Sequence, residues 1–151
     1  YLVHPTTDCI FDSDNYGKSK YISENLKNAC IIRSSIVGVG EERGLFAWVM
    51  KNRGKKIQGY TKHIWNGITT LEFSKNAYRF IKERKIGLVK LGTEPISKYE
   101  LIKKFCNIFE INIEIEPFEN EYVEKIVKSD IVLPSIDEQL KELKEFNLHS
   151  R

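Results

Sequence analysis

The order of apolar and polar residues predicts a strand, a helix and a second strand within the first 38 residues. An apolar run near the start leads into a Thr-Thr-Asp turn, and residues 28–38 form a second apolar run that ends in glycine. Residues 16–27 between them fit an exposed amphipathic helix. A βαβ unit of this kind implies parallel strands. We therefore predict that residues 3–7 pair in parallel with residues 31–35.

The rest of the chain predicts short strands that alternate with capped helices. Strands are predicted at residues 30–36, 55–60, 87–92 and 111–118, and helices at residues 45–51, 71–81, 97–109 and 135–146. Thr69 or Thr70, Ser97 and Ser135 are candidate caps of the last three helices. The buried stripe of the helix at 71–81 is predicted to contain Leu71, Phe73, Ala77, Tyr78 and Ile81. The pattern as a whole indicates an α/β fold.

Composition restricts the partners that the protein can have. A length of 151 residues suits one domain with a sizeable core, and no apolar run approaches the ~20 residues needed to cross a bilayer. The net charge of +3 is small and spread out, so neither a membrane nor a nucleic acid is expected, although an anionic small molecule would suit it. Three widely spaced cysteines and the lone His63 have no metal-ligand spacing. We expect no metal, buried thiols and a cytoplasmic location.

Tyr16 and Lys20 are the first candidates for chemistry. Their spacing of four residues places both side chains on one face of a helix. A tyrosine hydroxyl has an ordinary pKa of about 10, and a nearby ammonium lowers that pKa towards the range of a useful proton donor. The same pattern also fits an exposed tyrosine beside a solvated lysine. Arg33 lies within an apolar run, so it is either paired in the core or directed at a cleft.

Five ordered stretches carry a more specific signal than this pair alone. They are residues 6–11 (TTDCIF), 16–20 (YGKSK) with Glu24, 31–38 (IIRSSIVG), 66–72 (NGITTLE) and 95–101 (PISKYEL). In this combination the chain resembles the extended short-chain dehydrogenase/reductases, in the branch similar to dTDP-4-dehydrorhamnose reductase. The resemblance covers nearly the whole chain. It implies the carboxy-terminal part of a Rossmann-type parallel sheet, plus a smaller α/β portion on the substrate side.

The resemblance implies a reduction of a nucleotide-linked keto sugar, with NAD or NADP as cofactor. Tyr16 would give a proton to the carbonyl, and Lys20 would lower the pKa of Tyr16 and bind the nicotinamide ribose. Thr7 would donate a hydrogen bond to the same carbonyl oxygen. Asp8 and Arg33 are the further candidates for substrate binding.

Residues at the end of the second strand would complete the cofactor site. In the family this segment passes beside the nicotinamide, which here places Ser34, Ser35 and Ile36 at the ring. Related reductases often have an aromatic residue at the position of Ile36. The resemblance therefore does not imply a stacking contact with the sugar in this chain.

Two departures from the family bear on activity. The family holds the dinucleotide pyrophosphate on a Gly-x-x-Gly-x-x-Gly turn, and none of the nine glycines in this chain forms one. Only eight residues separate Thr7 from Tyr16, where the family has a longer polar loop. They could span at most about 28 Å, so a deletion is feasible. We nevertheless expect a chain break between about residues 11 and 15, and an intact mass above 17.6 kDa would indicate missing residues.

The predicted organisation has two parts and a soft boundary. Residues 1–38 would close the dinucleotide-binding domain, and residues 39–151 would form the substrate-binding portion. Two other functions remain open: a non-catalytic nucleotide-sugar-binding or regulatory subunit on the same fold, and, with least support, a dimerisation or scaffold module. A homodimer is compatible with all three.

Overall fold

Parallel strands dominate the structure, in agreement with the α/β prediction. The computed structural model describes residues 1–11, 15–40 and 43–149. The strands in these ranges are β1 (Leu2–Thr6), β2 (Ala29–Arg33), β3 (Ile36–Val37), β4 (Lys56–Tyr60), β5 (His63–Trp65), β6 (Ile68–Thr69), β7 (Gly87–Lys90), β8 (Ile96–Ser97), β9 (Glu114–Phe118) and β10 (Val123–Lys125). The helices are α1 (Asn15–Ser23), α2 (Leu45–Lys51), α3 (Thr70–Lys82), α4 (Lys98–Phe109) and α5 (Ile136–His149), and a 3₁₀ turn at Asp8–Phe11 follows β1.

The main sheet has the strand order β1-β2-β7, with all three strands parallel. Leu2 lies opposite Ala29 and Thr6 lies opposite Arg33, which confirms the predicted parallel pairing of the first two strands. The third strand, β7, comes from the part of the chain beyond residue 38. The sheet is therefore shared between the two predicted parts.

The single strand predicted at residues 30–36 is wrong, because the structure divides it into β2 and β3. The backbone N–H of Ser34 still donates to the carbonyl of Thr6 at 3.3 Å, beside the main sheet. One residue later, the carbonyl of Ser35 accepts from the N–H of Ile68 at 2.9 Å, and β3 pairs with β6 in a separate sheet. The chain thus changes sheets at these two serines.

Two smaller sheets are formed by strands from residues 39–149, the part of the chain predicted to bind substrate. One pairs β4 with β9 in parallel. The other has the order β10-β5-β8, with β10 parallel and β8 antiparallel to the central β5. The strand β10 falls in a stretch for which the sequence made no prediction.

Two hydrophobic cores lie on either side of the change of sheets. The larger one joins α2, α4 and α5, and its fully buried members include Val49, Leu101, Phe105 and Leu140. The smaller one lies between the main sheet and α3, and contains Cys30, Ile32, Ile68, Phe80, Val89 and Leu91. Cys30 and Ile32 of β2 thus belong to the smaller core, whereas Val37 of β3 belongs to the larger one.

The stripe predicted for α3 is partly wrong. Phe73 and Ala77 pack against the smaller core, but Tyr78 and Ile81 are exposed. Glu72, Asn76 and Phe80 form the buried face instead. The amide of Asn76 donates to Oε1 of Glu72 at 2.7 Å, and Oε2 of Glu72 lies 3.0 Å from the ammonium of Lys75.

The helix caps agree with the capping pattern in the sequence. The hydroxyls of Thr69, Ser97 and Ser135 each accept the backbone N–H of a glutamate three residues later, at 3.1, 3.1 and 3.3 Å. At Ser135 the carboxylate of Glu138 also accepts the serine N–H, which completes a capping box. By contrast, α1 ends at Ser23 rather than near residue 27.

Candidate active site

A cleft of about 390 Å³ lies at the carboxyl ends of β1 and β2. Its lining consists of Pro5, Thr6, Thr7, Asp8, Cys9, Tyr16, Lys20, Ser34, Ser35 and Ile36. Seven of the eight predicted site residues are in this set, and only Arg33 is missing. Ligands of open α/β sheets bind at the carboxyl ends of strands. The topology therefore brings together residues that are up to 29 positions apart in sequence, from Thr7 to Ile36.

Tyr16 and Lys20 lie one helical turn apart on α1 and face the cleft together. The Nζ atom of Lys20 is 5.7 Å from the centroid of the Tyr16 ring. Gly17 is the buried residue of this helix, while Tyr16 is 54% exposed. The end of α1 is attached to β1, because Nε2 of His4 lies 2.8 Å from the hydroxyl of Ser23. Polar contacts rather than apolar packing thus position the pair.

Thr7 belongs to a small polar cluster at the start of the 3₁₀ turn. Its hydroxyl donates to Oδ1 of Asp8 at 2.9 Å and accepts the backbone N–H of Cys9 at 3.3 Å. The hydroxyl proton therefore points at Asp8 in this arrangement. A hydrogen bond from Thr7 to a substrate oxygen requires rotation about one side-chain bond.

The two serines after β2 form the opposite wall of the cleft. The hydroxyl of Ser34 donates to the carbonyl of Ser35 at 3.0 Å, and the indole N–H of Trp65 donates to the hydroxyl of Ser35 at 2.7 Å. A Cβ atom at Gly67 would lie 2.2 Å from the carbonyl oxygen of Ser35. A glycine at position 67 is therefore needed for this wall to pack, which the sequence motif alone did not explain.

Arg33 is paired, and it does not line the cleft. Its Nε donates to Oε1 of Glu24 at 2.9 Å, and its Nη2 forms a second bond to the same carboxylate. Both side chains are largely buried, at 14% and 9% exposed. Of the two alternatives left open by the sequence, the geometry matches a buried pair. For Glu24, whose position after the helix predicts either a solvent-facing side chain or a member of a charge pair, the structure shows the charge pair.

The sequence did not single out one polar group of the cleft. Within the described residues, Oγ1 of Thr6 is buried and has no hydrogen-bond partner. Buried polar atoms are normally satisfied, so this hydroxyl is available to a ligand. No local pattern marks it, since Thr6 looks like an ordinary last residue of a strand.

Other site types find no support in the part of the chain that is described. No group of three or more histidine, cysteine or acidic side chains is arranged to hold a metal ion there. Among the described helices, which reach at most 14 residues, none has the length and apolar composition of a bilayer-crossing segment. A larger groove of about 900 Å³ lies between α2 and the ends of α4 and α5, and shares no residue with the cleft.

The expectation of a chain break between residues 11 and 15 concerns residues 12–14, which lie outside the described ranges. The expectation is therefore neither supported nor contradicted by the structure.

Comparison with solved structures identifies the fold. A dTDP-4-dehydrorhamnose reductase from Bacillus anthracis in complex with NADP superposes with a TM-score of 0.80 over 96% of this chain, at 17% identity. A reductase of the same name from Clostridium acetobutylicum gives 0.74 over 97% of the chain, at 18% identity. A dTDP-glucose 4,6-dehydratase from Bacillus anthracis in complex with NAD gives 0.71 over 98% of the chain, at 12% identity.

The likeness confirms the predicted fold class, a Rossmann-like α/β reductase fold. This chain spans 65% of the length of each of the two reductases and 61% of the dehydratase. No family model matches the sequence, and neither does any curated protein.

Proposed function

We propose that this chain forms the proton-transfer and substrate side of an NAD- or NADP-dependent oxidoreductase that reduces a nucleotide-linked keto sugar. The observation that carries the proposal is the cleft, where Thr7, Tyr16 and Lys20 meet the residues that follow β2. The similarity in fold to a reductase bound to NADP and a dehydratase bound to NAD supports the class of reaction.

The cleft fits the nicotinamide end of such a cofactor. It offers a buried hydroxyl without a partner at Thr6, further hydroxyls at Ser34 and Ser35, and the ammonium of Lys20. These groups can bind ribose hydroxyls and a carboxamide. Tyr16, Lys20, Ser34, Ser35 and the exposed Ile36 would hold this part of the cofactor, which supplies the hydride when it is bound.

Each catalytic side chain has one role in this proposal. The hydroxyl of Tyr16 donates its proton to the carbonyl oxygen of the substrate, and the nearby positive charge of Lys20 favours the phenolate that remains. The hydroxyl of Thr7 turns from Asp8 to donate a hydrogen bond to the same oxygen. Asp8 keeps Thr7 in position before the substrate binds.

The 151 residues contain no glycine turn for the pyrophosphate, and we therefore expect the chain alone to reduce sugar nucleotides too slowly to be useful. Positioning of two reactants is worth about 7–11 kcal/mol of barrier. A general acid contributes about 10²–10⁴-fold, which is the smaller term. Loss of cofactor positioning should thus outweigh retention of Tyr16.

The test is NAD(P)H oxidation against a panel of dTDP- and UDP-linked 4-keto sugars, with the 151-residue chain and with a full-length protein that carries a glycine turn. In the full-length protein, Tyr16→Phe should lower kcat by about 10²–10⁴-fold with little change in cofactor affinity. Lys20→Ala should lower both kcat and the affinity for the cofactor. Tyr21→Phe on the same helix is the matched control and should leave kcat unchanged.

Two results would contradict the proposal. Clear turnover by the full-length Tyr16→Phe variant would show that another group donates the proton. Binding of sugar nucleotides without turnover by the full-length protein would indicate the alternative, a non-catalytic nucleotide-sugar-binding subunit.

A further inference from the structure

Basic side chains gather on the small β10-β5-β8 sheet, next to the cleft. Lys125 lies opposite Trp65 in the pairing of β10 with β5, and residues directly opposite on neighbouring strands share a face. His63 is two residues before Trp65 and has the same face. Because the indole of Trp65 donates to Ser35 in the lining of the cleft, this face adjoins the cleft.

Lys98 joins this group as the residue that directly follows the third strand, β8. Ser97 lies opposite Ile64 in the antiparallel pairing of β8 with β5, so Lys98 follows at the level of His63. The charges of Lys98 and Lys125 both act on His63, and those of Asp8 and Cys9 in the cleft act on Lys98. The cluster therefore lies on the face of the β10-β5-β8 sheet that adjoins the cleft.

Lys98 is an unbalanced cation in this position. Its side chain is half-buried, and within the described ranges it makes no hydrogen bond or ion pair. Burial lowers the pKa of Lys98, and the charge of Lys125 adds to this effect, while Asp8 and Cys9 oppose it. It is also the first residue of α4, where the helix end is itself positive. Every nearby charge except those in the cleft disfavours the ammonium.

A half-buried ammonium of this kind is typical of a position that a ligand completes. Asp8 offsets the charge only in part, since one of its oxygens already accepts from Thr7 and the thiol of Cys9 lies 3.6 Å from the same oxygen. An anion between Lys98 and the cleft would give the cation a direct partner.

We propose that Lys98, with Lys125 and His63 beside it, binds an anionic group of the substrate at the edge of the cleft. The proposal rests on the proposed function, because it assumes that the substrate reaches across from Tyr16 to this sheet. A phosphate oxygen of the nucleotide diphosphate and a carboxylate on the sugar present the same chemistry. Either would pair with the ammonium through a charge-assisted hydrogen bond.

Isothermal titration calorimetry on the full chain tests the proposal without requiring turnover. The probes are UDP-glucose, UDP-glucuronate and inorganic pyrophosphate. Lys98→Gln should raise about tenfold the Kd of each probe whose anionic group binds Lys98, since a hydrogen bond to a charged group is lost. Lys98→Arg keeps the charge and should stay within about twofold of the wild type. Lys103→Gln, which removes an exposed lysine of α4 paired with Glu100, is the matched control.

The outcomes separate the source of the anion. If Lys98→Gln weakens the binding of both UDP-sugars equally, the proposal is supported and the anion that binds Lys98 is the diphosphate. Weakening of UDP-glucuronate alone supports it and assigns a carboxylate on the sugar.

Other outcomes separate this proposal from the proposed function. Binding of both sugars with no effect of Lys98→Gln overturns the anion site and leaves the proposed function intact. Pyrophosphate binding that depends on Lys98, with no binding of either sugar, supports the anion site and overturns the sugar-nucleotide function. Absence of binding by all three probes overturns the anion site.

Discussion

The two helices that carry residues of interest beside the cleft, α1 and α4, are fixed in different ways. The helix α4 has a side-chain cap at Ser97 and buries Leu101, Ile102 and Phe105 in the larger core. The helix α1 buries Gly17, while its large apolar side chain Ile22 is 71% exposed. Packing therefore determines where α4 lies, whereas polar contacts at the carboxyl end of α1 determine where Tyr16 and Lys20 lie.

This difference affects how firmly each helix holds its side chains in position beside the cleft. A buried apolar helix face tolerates little displacement, because interiors are close-packed. A helix held by a few hydrogen bonds and one ion pair opens at a lower free energy. Tyr16 and Lys20, to which we assign proton transfer, thus lie on the less firmly held of the two elements.

Phe105→Ala should destabilise the protein more than any single change in α1 or in the wall of the cleft. Phe105 is fully buried and packs edge to face against Phe46, with ring centroids 5.5 Å apart. Truncation of a buried phenylalanine costs about 3–5 kcal/mol. Urea unfolding followed by circular dichroism measures this loss. Ile22→Ala on α1 is the control, and it should remain within about 0.5 kcal/mol of the wild type. Equal losses in the two variants would contradict the comparison.

Local patterns in the sequence predicted much of the secondary structure beyond residue 38. The bounds of α2 agree with those expected from residues 45–51, and the caps at Ser97 and Ser135 follow from a hydroxyl three residues before a glutamate. Such signals act over one helical turn, so a sequence without coordinates contains them completely. The parallel pairing of β1 and β2 was also predictable, because the helix between them leaves few other connections.

Long-range polar contacts could not be predicted in the same way. Nothing near Arg33 in sequence identifies Glu24 as its partner rather than a ligand, and nothing near Ser35 indicates Trp65. The buried face of α3 contains the polar residues Glu72 and Asn76, which are hydrogen-bonded to each other. Apolar periodicity does not identify such a face. Apart from Tyr16 and Lys20, whose helical spacing makes them candidates, the predicted residues of the cleft depend on the family resemblance. Their periodicity alone gave no reason to join them.

Gly67→Ala tests the junction between the two regions. A Cβ atom there would approach both the Ser35 carbonyl oxygen and the Trp65 ring at 2.2 Å, so the wall of the cleft must shift. We expect a loss of about 3 kcal/mol, at the upper end of overpacking effects. Thermal and urea unfolding provide the measurement.

Gly54→Ala is the control for this change. Gly54 has a positive φ of 76° but no atom within 4 Å of an added Cβ. It should lose only about 1 kcal/mol, from backbone strain alone. A smaller loss at Gly67 than at Gly54 would show that the cleft wall accommodates a methyl group.

Glu24→Gln tests the polar attachment of α1. The change removes the carboxylate that accepts two N–H groups of Arg33 in a largely buried position. The expected loss is about 2 kcal/mol, as for a hydrogen bond to a charged group. Hydrogen exchange should show faster exchange in α1 than in α4 of the same variant.

The exposed pair of Arg79 and Glu83, 3.8 Å apart, provides the control for this ion pair. Glu83→Gln should cost less than about 0.5 kcal/mol, because exposed ion pairs contribute little. If Glu24→Gln behaves in the same way, packing rather than the ion pair holds α1.

The smallest expected effect is on the pH dependence of stability, and it concerns His63 in the β10-β5-β8 sheet. Burial lowers the pKa of His63 from its usual 6.5, and the positive charges of Lys98 and Lys125 lower it further. Between that lowered pKa and 6.5 the unfolded chain binds more protons at this residue than the folded protein. Unfolding free energy therefore rises with pH through this window, and the contribution of His63 is lost as the pH falls below 6.5.

The measurement compares the change in Tm between about pH 7.5 and about pH 5.5 in the wild type with the same change in His63→Gln, which has no group that titrates at that position. The variant should lose less Tm on acidification, and Lys98→Gln should give an intermediate result because one of the two charges has been removed. If His63→Gln loses as much Tm on acidification as the wild type, the two lysines do not lower the pKa of this histidine. That result would contradict the view that the three residues form one cationic cluster.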